Sequence, residues 1–595
     1  MVALDLMACP SIPHAFETQA KHYGPKPFLW SKQDGAWQSL TWQETADLVQ
    51  KAAKALQALG IEPGDRVMLV SESRPEWFIA DMAIMTAGAI SVPAYVTNTP
   101  ADHQHVLNDS GARLVIVSSQ ALTERVMKAA LSTRHQPRII SIEPPSLDQN
   151  PGLEIIRWQD ALDIGGAFAD HNFPALERSD TACLIYTSGT GGVPKGVMLS
   201  HGSLLHNVEG ARILLESLGL KDEVFLSFLP LSHSYEHTAG LMFPMAIGAQ
   251  IYFSEGVEKL ADNMVEARPT IMTAVPRLYE NMRARILKGV ERAGGLKKAM
   301  FMKALELGIK TYEQPGSLSL IERLINAFLE RLVRDKVRAR FGGRLKALVS
   351  GGAPLNYDVG LFFTALGLRI LQGYGQTESA PVISCNTPLR SKLHTVGPPM
   401  ANTDVKIAED GEILVRGELV MQGYWNHPEA SADVLKNGWL HTGDIGQFDA
   451  DGYLQITDRK KDIIVNSGGD NISPQRIEGL LSLEPEVSQA MVHGDKRPHL
   501  VALIVPDEDF AKSWAADNGV PFSMEALVED TRFHKAVFAA LDRVNRNLSN
   551  IEKVRRFLLV PEAFTVANEM MTPTLKIRRH MIRKLWGAKL ESLYE

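Results

Sequence analysis

A segment rich in glycine, serine and threonine is the clearest candidate for chemistry in this sequence. It reads YTSGTGGVPKG from Tyr186 to Gly196 and directly follows the apolar run ACLI. Small residues let backbone N–H groups approach phosphate oxygens, and Lys195 supplies a positive charge for a polyphosphate. It is not a Walker loop, which requires Gly before the lysine and Ser or Thr after it, because Pro194 and Gly196 occupy those positions. The segment predicts a phosphate-binding loop of another kind.

A second segment, from His233 to His237, matches the HxxEH pattern of one class of zinc proteases. A zinc site of that class needs two imidazoles, a third protein ligand and a water, with the glutamate as base. No third ligand stands out downstream, and so short a pattern can arise by chance. We therefore do not favour zinc, and metal analysis of the purified protein would separate the two interpretations.

Short apolar strands alternate with helical stretches from Gly64 onward, as in RVMLVSE, EWFIADMAIMTAG, AISVPAYV and RLVIVSS. This alternation predicts an α/β fold of parallel sheets covered by helices. It recurs in ACLIYTS, EVFLSFLP, AQIYFSE, TIMTAVP, LKALVSGG and RILQGYG. Most of these strands end in a loop with Gly, Pro or Ser, which is where ligands bind in open α/β sheets.

The pattern changes near Asp404 to short strands joined by tight turns. The pairs Asp410–Gly411 and Asp451–Gly452 are hairpin signals. After Asp458 a smaller α+β unit follows, in which AMVHGDKRPHLVALIVP predicts another hairpin. Because 595 residues are too many for one core, we predict two domains, 1–458 and 459–595.

The composition is that of an ordinary globular protein, with 45% hydrophobic and 22% charged residues and a net charge of -7. No apolar run reaches the roughly 18 residues of a membrane span, and MVALDLMACP lacks the features of a signal peptide. Three widely separated cysteines, Cys9, Cys183 and Cys385, predict reduced thiols. We expect a cytoplasmic protein with no nucleic-acid partner.

Positive charge is concentrated between residues 281 and 346, a stretch that contains 16 Lys and Arg but only 6 Asp and Glu. Part of this stretch, IERLINAFLERLVRDKVRARF, predicts a helix with four apolar residues on one face: Leu324, Phe328, Leu332 and Val333. Such a surface is either the solvated face of an ordinary helix or a peripheral contact with anionic lipid on the inner face of a membrane. The sequence leaves both interpretations open.

Eight segments in order resemble the signature motifs of the adenylate-forming, AMP-binding superfamily, which includes acyl-CoA synthetases, firefly luciferase and peptide-synthetase adenylation domains. They are YTSGTGGVPKG, PLSHSYEH, SGGAPL, QGYGQTE, RGELVMQGYW, HTGDIG, DRKKDIIVNSGGDNISP and TPTLKIRR, and they run from Tyr186 to Arg579. One departure is Gly191, where the family usually has Thr or Ser. The resemblance implies two doubly wound α/β subdomains and a small β-barrel, followed by a mobile α+β C-terminal domain.

The resemblance also implies which residues bind ATP. Glu378 and Thr190 resemble the family's Mg²⁺ ligands. Tyr374 resembles the ring that packs on adenine, and Asp444 resembles the residue that accepts hydrogen bonds from the ribose hydroxyls. Arg459 is similar to the basic residue near ribose and phosphate. The implied nucleotide site comprises Thr187, Ser188, Gly189, Thr190, Gly191, Lys195, Gly352, Ala353, Pro354, Gln372, Gly373, Tyr374, Gly375, Thr377, Asp444 and Arg459.

Lys576 resembles the catalytic lysine, which would bridge the substrate carboxylate and the α-phosphate. His233 would lie beside that carboxylate in the family's acyl pocket. This role is the alternative to zinc binding for the HxxEH segment. The family rotates its C-terminal domain between two half-reactions. Lys461 matches the hinge, and the Gly468–Gly469 loop would approach coenzyme A.

Within the superfamily, QGYGQTE, the AVPRLYE segment (Ala274–Glu280) and the basic helical stretch resemble long-chain acyl-CoA synthetases. The expected reactants are a fatty acid, ATP and coenzyme A, with Mg²⁺. A fatty acyl-AMP ligase that loads a carrier protein is an alternative, which CoA dependence would test. A non-catalytic adenylate-binding protein is another, although the presence of both Glu378 and Lys576 argues against it.

Overall fold

The computed structural model describes residues 4–143, 152–187, 193–460, 462–468, 470–572 and 576–595. The strands up to residue 459 are β1 Pro27–Gln33, β2 Ala36–Thr41, β3 Arg66–Val70, β4 Ile90–Pro93, β5 Leu114–Val117, β6 Arg138–Ser141, β7 Ile155–Arg157, β8 Thr181–Thr187, β9 Lys195–Ser200, β10 Val224–Ser227, β11 Gln250–Phe253, β12 Ile271–Ala274, β13 Ala347–Ser350, β14 Ile370–Gly375, β15 Val382–Cys385, β16 Asp404–Ile407, β17 Glu412–Arg416, β18 Gly423–Tyr424, β19 Leu435–Lys436, β20 Trp439–Phe448 and β21 Leu454–Arg459. The later strands are β22 Ile464–Val465, β23 Asn471–Ile472, β24 Val487–His493, β25 Leu500–Pro506 and β26 Val554–Leu559.

The α-helices of the larger domain are α1 Ile12–Tyr23, α2 Trp42–Ala58, α3 Pro75–Thr86, α4 Pro100–Ser110, α5 Gln120–Ala130, α6 Trp158–Ala167, α7 His201–Leu215, α8 Phe243–Ala246, α9 Leu260–Ala267, α10 Pro276–Ala293, α11 Gly295–Glu313, α12 Leu320–Leu329, α13 Asp335–Arg340, α14 Tyr357–Ala365 and α15 Pro428–Val434. Those of the smaller domain are α16 Pro474–Leu481, α17 Glu508–Asp517, α18 Met524–Leu527, α19 Thr531–Arg546 and α20 Arg579–Ser592. Two π-helical segments, Glu236–Met242 and Glu330–Arg334, and two 3₁₀ turns, Glu216–Leu218 and Thr377–Ser379, complete the helical structure of the described residues.

The first large sheet has the strand order β18-β9-β8-β4-β3-β5-β6-β7 and is parallel from β8 to β7. Its side chains alternate between two cores. Val67 and Leu69 of β3 join the core that includes α1 and α3, whereas Met68 and Val70 join the core that includes α4 and α5. Helices therefore cover both faces, as a parallel sheet requires.

The second large sheet has the order β15-β14-β13-β12-β10-β11-β1-β2, with antiparallel strands at its two edges. Phe225 and Ile271 on one face belong to the same core as Val67 and Leu69 of the first sheet. The opposite face packs against α10, α11 and α14 in a separate core. The two sheets thus share an inner layer of helices, which confirms the predicted pair of α/β subdomains.

The predicted β-barrel is a five-stranded antiparallel sheet in the order β16-β17-β20-β19, with β21 also paired to β20. Both D-G signals are hairpin turns, and Gly411 and Gly452 have φ of 83° and 77°. In the smaller domain, β24-β25-β26 form a sheet between two cores, and β24 and β25 are the predicted hairpin. The fold class is confirmed, and the boundary between 458 and 459 stays a prediction.

The predicted basic helix is continuous but is not a regular α-helix throughout. It comprises α12, the π-helical turn Glu330–Arg334 and α13. A π-helical turn fits an extra residue into the helix and rotates the residues after it. Val333 is buried and Leu332 half-buried, whereas Leu324 and Phe328 remain exposed. The prediction of one face for all four residues is therefore wrong.

Within the described part of the chain, no helix is long and apolar enough to cross a membrane. The three cysteines are buried free thiols. Burial raises the pKa of Cys385 to about 12.

Candidate active site

A cleft of about 2630 Å³ lies at the carboxyl ends of β8, β13 and β14 and is also bordered by the five-stranded sheet and the smaller domain. The predicted site residues that line it are Thr187, Lys195, His233, Gly352, Ala353, Pro354, Gln372, Gly373, Tyr374, Gly375, Thr377, Glu378, Asp444, Arg459 and Lys576. Ser188, Gly189, Thr190, Gly191, Lys461 and Gly469 lie outside the described residues. Gly468 is exposed, does not line the cleft, and donates its N–H to Asn466 Oδ1 at 2.9 Å.

Strand pairing positions Lys195, the lysine of the predicted phosphate loop. Thr187 at the end of β8 lies opposite Lys195 at the start of β9, so the two ends of the loop are fixed side by side. On its other edge β9 pairs with β18, which places Tyr424 near Lys195. The Lys195 ammonium lies 5.0 Å from the centroid of the Tyr424 ring, a cation–π distance.

Tyr424 also contacts the predicted magnesium ligand. Its hydroxyl donates a hydrogen bond of 2.8 Å to Glu378 Oε1. Burial and the Glu378 charge raise the pKa of Tyr424, so the phenol stays a donor. Glu378 Oε2 accepts no hydrogen bond from the described residues. The hydroxyl of the adjacent Thr377 is hydrogen-bonded to Ser234 Oγ at 3.0 Å. Tyr424 is a site residue that the sequence reasoning missed, although it lies within the motif RGELVMQGYW.

The predicted ribose site is a buried carboxylate held from two sides. Asp444 Oδ2 accepts a hydrogen bond of 2.7 Å from the Tyr374 hydroxyl, and Asp444 Oδ1 accepts one of 3.0 Å from Arg459 Nε. The two strands β20 and β21 set this contact, because Asp444 and Arg459 face each other in register. Each carboxylate oxygen can accept two hydrogen bonds, so Asp444 keeps capacity for a diol.

The wall of the predicted adenine site is made of backbone. Gly352 has φ of 81°, the left-handed region that favours glycine. At Gly375, a Cβ atom would lie 1.8 Å from the backbone oxygen of Pro381. Gln372 is buried, and its Oε1 has no hydrogen-bond partner among the described residues. An unpaired buried acceptor at this wall suits a ligand that carries an N–H donor.

The predicted catalytic lysine reaches the cleft from the smaller domain. Its backbone is fixed by two hydrogen bonds, from Lys576 N to Thr572 Oγ1 at 3.0 Å and from Thr572 N to Lys576 O at 2.8 Å. The side chain is open to the cleft but surrounded by protein, and this desolvation lowers the pKa of Lys576 to about 8. Arg459 lowers it further, while Asp444 and Glu378 act in the opposite direction.

His233 is neutral at this end of the cleft. Burial, together with the charge of Lys576, lowers the pKa of His233 to about 4. Its Nδ1 accepts a hydrogen bond of 3.1 Å from Tyr235 N, so the ring proton is on Nε2. His233 is therefore a hydrogen-bond donor rather than a cation.

The other two residues of the HxxEH segment are engaged in the core. Glu236 accepts hydrogen bonds from Ser227 and Thr273, and burial raises the pKa of Glu236 to about 7. His237 Nε2 lies 2.8 Å from Asp81 Oδ2, and both side chains are fully buried. In the described part of the chain, no three His, Cys, Asp or Glu side chains are grouped as metal ligands.

The chain belongs to the AMP-binding enzyme family. The family model for the AMP-binding enzyme matches residues 16–425, and the model for its C-terminal domain matches residues 461–595. The chain is 34% identical over 570 residues to the long-chain-fatty-acid–CoA ligase FadD15 of Mycobacterium tuberculosis, covering 94% of this chain and 93% of that protein. It is 33% identical to the peroxisomal long chain acyl-CoA synthetase 7 of Arabidopsis thaliana, covering 98% and 85%.

Solved structures of the same fold match almost the whole chain. The adenylation domain of a carboxylate reductase from Mycobacterium chelonae superposes with a TM-score of 0.75 at 21% identity, covering 98% of this chain and 91% of that one. The anthranilate CoA ligase AuaEII, solved with anthranoyl-AMP, gives a TM-score of 0.73 at 21% identity and covers 100% of both chains.

Proposed function

We propose that this protein is a long-chain fatty acid–CoA ligase, which converts a fatty acid, ATP and coenzyme A into acyl-CoA, AMP and pyrophosphate through an acyl-adenylate. The proposal rests on one observation. One cleft is lined by four residues from separate parts of the chain: Lys195, Glu378, Asp444 and Lys576. Relatives at 33–34% identity that bear the name of this activity supply the substrate class.

In the first half-reaction, a carboxylate oxygen attacks the α-phosphorus of ATP, and the bond to pyrophosphate breaks. Two anions must meet, so the site has to neutralise charge and align the attack. In this proposal Lys195 neutralises the charge of the departing phosphates, and Lys576 neutralises the charge of the carboxylate and the α-phosphate. Positive charge held there stabilises the transition state more than the separated reactants.

Asp444 and Tyr374 hold the nucleoside in this proposal. Asp444 accepts the ribose hydroxyls while Tyr374 and Arg459 keep its carboxylate in place. The buried Gln372 Oε1 is the proposed acceptor for the adenine amine. His233, neutral and protonated on Nε2, donates to the acid's carboxylate and orients one of its oxygens.

The residues fit a magnesium ion at Glu378. Its Oε2 is not used by the described residues, and one carboxylate with substrate phosphates is a usual Mg²⁺ environment. Bound Mg²⁺ would supply charge neutralisation on the polyphosphate. Tyr424 fixes the rotamer of Glu378 for this role. Thr190, the other proposed ligand, lies outside the described residues.

In the second half-reaction, the CoA thiolate attacks the acyl carbonyl, and the bond to AMP breaks. We propose that the smaller domain rotates at Lys461 so that Lys576 leaves and the Gly468–Gly469 loop approaches coenzyme A. The exposed position of Gly468 on the smaller domain supports this role.

The test is mass spectrometry of the products from ATP, Mg²⁺ and a graded set of fatty acids, each with and without coenzyme A. Long-chain acyl-CoA that forms with AMP, only when CoA is present, is the expected result. Acyl-adenylate without any CoA thioester would identify a ligase that loads a carrier protein. Neither product from any acid would refute catalysis and favour a non-catalytic adenylate-binding protein.

A second experiment separates the half-reactions. We expect Lys576→Ala to abolish adenylate formation but to spare thioester formation from supplied acyl-adenylate. Lys584→Ala, an exposed lysine on α20, is the matched control and should leave both reactions unchanged. Equal loss of both reactions in Lys576→Ala would show that Lys576 is not specific to adenylate formation.

The proposal includes peripheral contact with a membrane through the basic region 281–346, because a long-chain acid partitions into bilayers. The predicted cytoplasmic location stays a prediction.

A further inference from the structure

Helix α4 contacts the chain on both sides of the predicted phosphate loop. His105 Nε2 lies 2.7 Å from the carbonyl oxygen of Pro194, the residue that precedes Lys195. Because a carbonyl oxygen can only accept, this ring nitrogen carries the proton and donates the hydrogen bond. Asp109 lies on the same face of α4, one turn later. Its Oδ2 accepts a hydrogen bond of 2.6 Å from the Tyr186 hydroxyl.

The ring of Tyr186 extends this contact to the start of β9. Tyr186 pairs with Gly196 across the two strands, and a Cβ atom on Gly196 would lie 3.1 Å from the ring. The ring therefore packs on the backbone next to Lys195. His105 packs edge-on against the same ring, with 6.1 Å between the two ring centroids. Burial, together with the hydrogen bond to Asp109, raises the pKa of Tyr186, so its hydroxyl stays a donor.

Asp109 also binds the segment that follows Tyr424. Its backbone oxygen accepts hydrogen bonds from Trp425 Nε1 at 3.1 Å and from Asn426 Nδ2 at 2.9 Å. Tyr424 is the residue whose hydroxyl donates to Glu378. The end of α4 therefore contacts both the strand pair of the phosphate loop and the segment whose tyrosine binds the proposed magnesium ligand.

Helix α4 is itself firmly held. A capping box begins it at Thr99, and Gly111 ends it with φ of 64°. Arg66 of β3 donates a hydrogen bond of 2.6 Å from Nε to Ser110 O. The Arg66 guanidinium also lies 5.2 Å from the centroid of the Trp425 ring, a cation–π distance. The helix is thus a fixed support for the segments that it contacts.

We propose that His105 and Asp109 are positioning residues for the polyphosphate of ATP. They fix the backbone on both sides of the phosphate loop and so fix the place of Lys195, which lowers the ordering cost of binding. Neither side chain lines the cleft, so they act through Tyr186 and Pro194 and not by contact with the nucleotide. The role of Lys195 rests on the proposed function, whereas the contacts of α4 do not.

Direct binding of MgATP and of AMP to the full-length protein tests this role, by isothermal titration calorimetry without fatty acid or CoA. AMP lacks the β- and γ-phosphates and therefore reports the rest of the nucleotide site. We expect H105L to bind MgATP about 3- to 10-fold more weakly and D109A about 10- to 100-fold more weakly, as for loss of a neutral hydrogen bond and of one to a charged group. AMP binding should be unchanged in both variants.

Three results would overturn the proposal. Equal losses for MgATP and AMP would show that the two residues only stabilise the fold. Unchanged MgATP binding in both variants would show that the loop needs no support from α4. A native protein that binds no MgATP would remove the ligand that the two residues are proposed to serve.

Conservative variants separate the hydrogen bonds from the bulk of the side chains. H105Q places an amide N–H near the position of Nε2, and D109N keeps an oxygen that can accept from Tyr186. Each should recover most of the MgATP binding lost in H105L or D109A, and recovery in neither would contradict the assignment of the effect to these hydrogen bonds. The matched control is H135L, which removes an exposed histidine of the same subdomain and should bind both nucleotides as the native chain does.

The half-reactions provide a kinetic form of the test. In H105L and D109A the KM for MgATP should rise more than kcat falls, and thioester formation from supplied acyl-adenylate, which carries no β- or γ-phosphate, should be unchanged. Native protein that binds MgATP but forms no acyl-adenylate would refute the proposed function, while the binding data would still decide the role of α4. Active variants that bind MgATP as the native chain does would overturn that role and leave the proposed function standing.

Discussion

The lowered pKa of Lys576 predicts an alkaline limit to adenylate formation. Only the protonated amine can hold the carboxylate and α-phosphate together, and desolvation by the surrounding protein, together with the charge of Arg459, lowers the pKa of Lys576 to about 8 in the free enzyme. The protonated fraction is nearly complete at pH 6.5 and falls to about one tenth at pH 9, one unit above the pKa. Because kcat/KM reports the free enzyme, we expect it to fall about tenfold from its plateau by pH 9. Bound anions favour the protonated form, so kcat should fall at a higher pH than kcat/KM.

The assay has to isolate the first half-reaction, because the CoA thiol also titrates near pH 8.5. ATP–pyrophosphate exchange without CoA meets this need. Lys576→Arg is the control, since a guanidinium stays charged throughout the range. Its rate should be lower, but the alkaline fall should disappear. A native profile that stays flat to pH 9.5, or the same fall in Lys576→Arg, would refute the assignment of this titration to Lys576.

Three substitutions test the packing around the cleft. Tyr424→Phe removes the donor to Glu378, and we expect kcat/KM for MgATP to fall about 10- to 100-fold, since a hydrogen bond to a charged group contributes about 1.5–3 kcal/mol; unchanged steady-state kinetics would contradict this. Gly375→Ala places a Cβ 1.8 Å from a backbone oxygen, so we expect a thermal midpoint several degrees lower, and an unchanged melting curve would show that the backbone can yield. Arg579→Met leaves the buried Glu478 unpaired, and we expect the smaller domain to lose about 3–5 kcal/mol in denaturant unfolding, with recovery in E478Q/R579M. No recovery in the double variant would mean that the arginine acts through other contacts.

The layers of the fold follow from the sequence pattern. Continuous apolar strands such as RVMLV predict a sheet buried on both faces, and Val67 and Met68 do lie in different cores. The place of the predicted nucleotide residues follows only in part. Thr187 ends β8 and the segment Gln372–Gly375 ends β14, and ligands bind outside the carboxyl ends of such strands. That these ends, which belong to two different sheets, meet in one cleft is visible only in the structure.

Other features depend on distant pairing that the sequence does not show. Tyr424 reaches Glu378 only because the two-residue strand β18 pairs with β9, and so short a strand has no pattern of its own. The lowered pKa of Lys576 depends first on desolvation by the protein around the cleft and then on the charge of Arg459, and the sequence alone shows neither. Val333 is buried while Leu324 and Phe328 stay exposed, and the π-helical turn Glu330–Arg334 that separates them departs from the regular helical spacing on which the sequence prediction relied.

The contacts before residue 461 support the proposed pivot. Arg459 is the last residue of β21 and binds Asp444 across the strand pair. Lys460 is also held, since its N–H donates to Gly443 O at 2.9 Å and its ammonium donates to Asp410 and Glu412. Rotation before Lys460 would break these bonds, whereas rotation at Lys461 keeps them. The smaller domain can then change orientation while Arg459 stays on Asp444, so the proposed nucleotide site need not open when Lys576 departs.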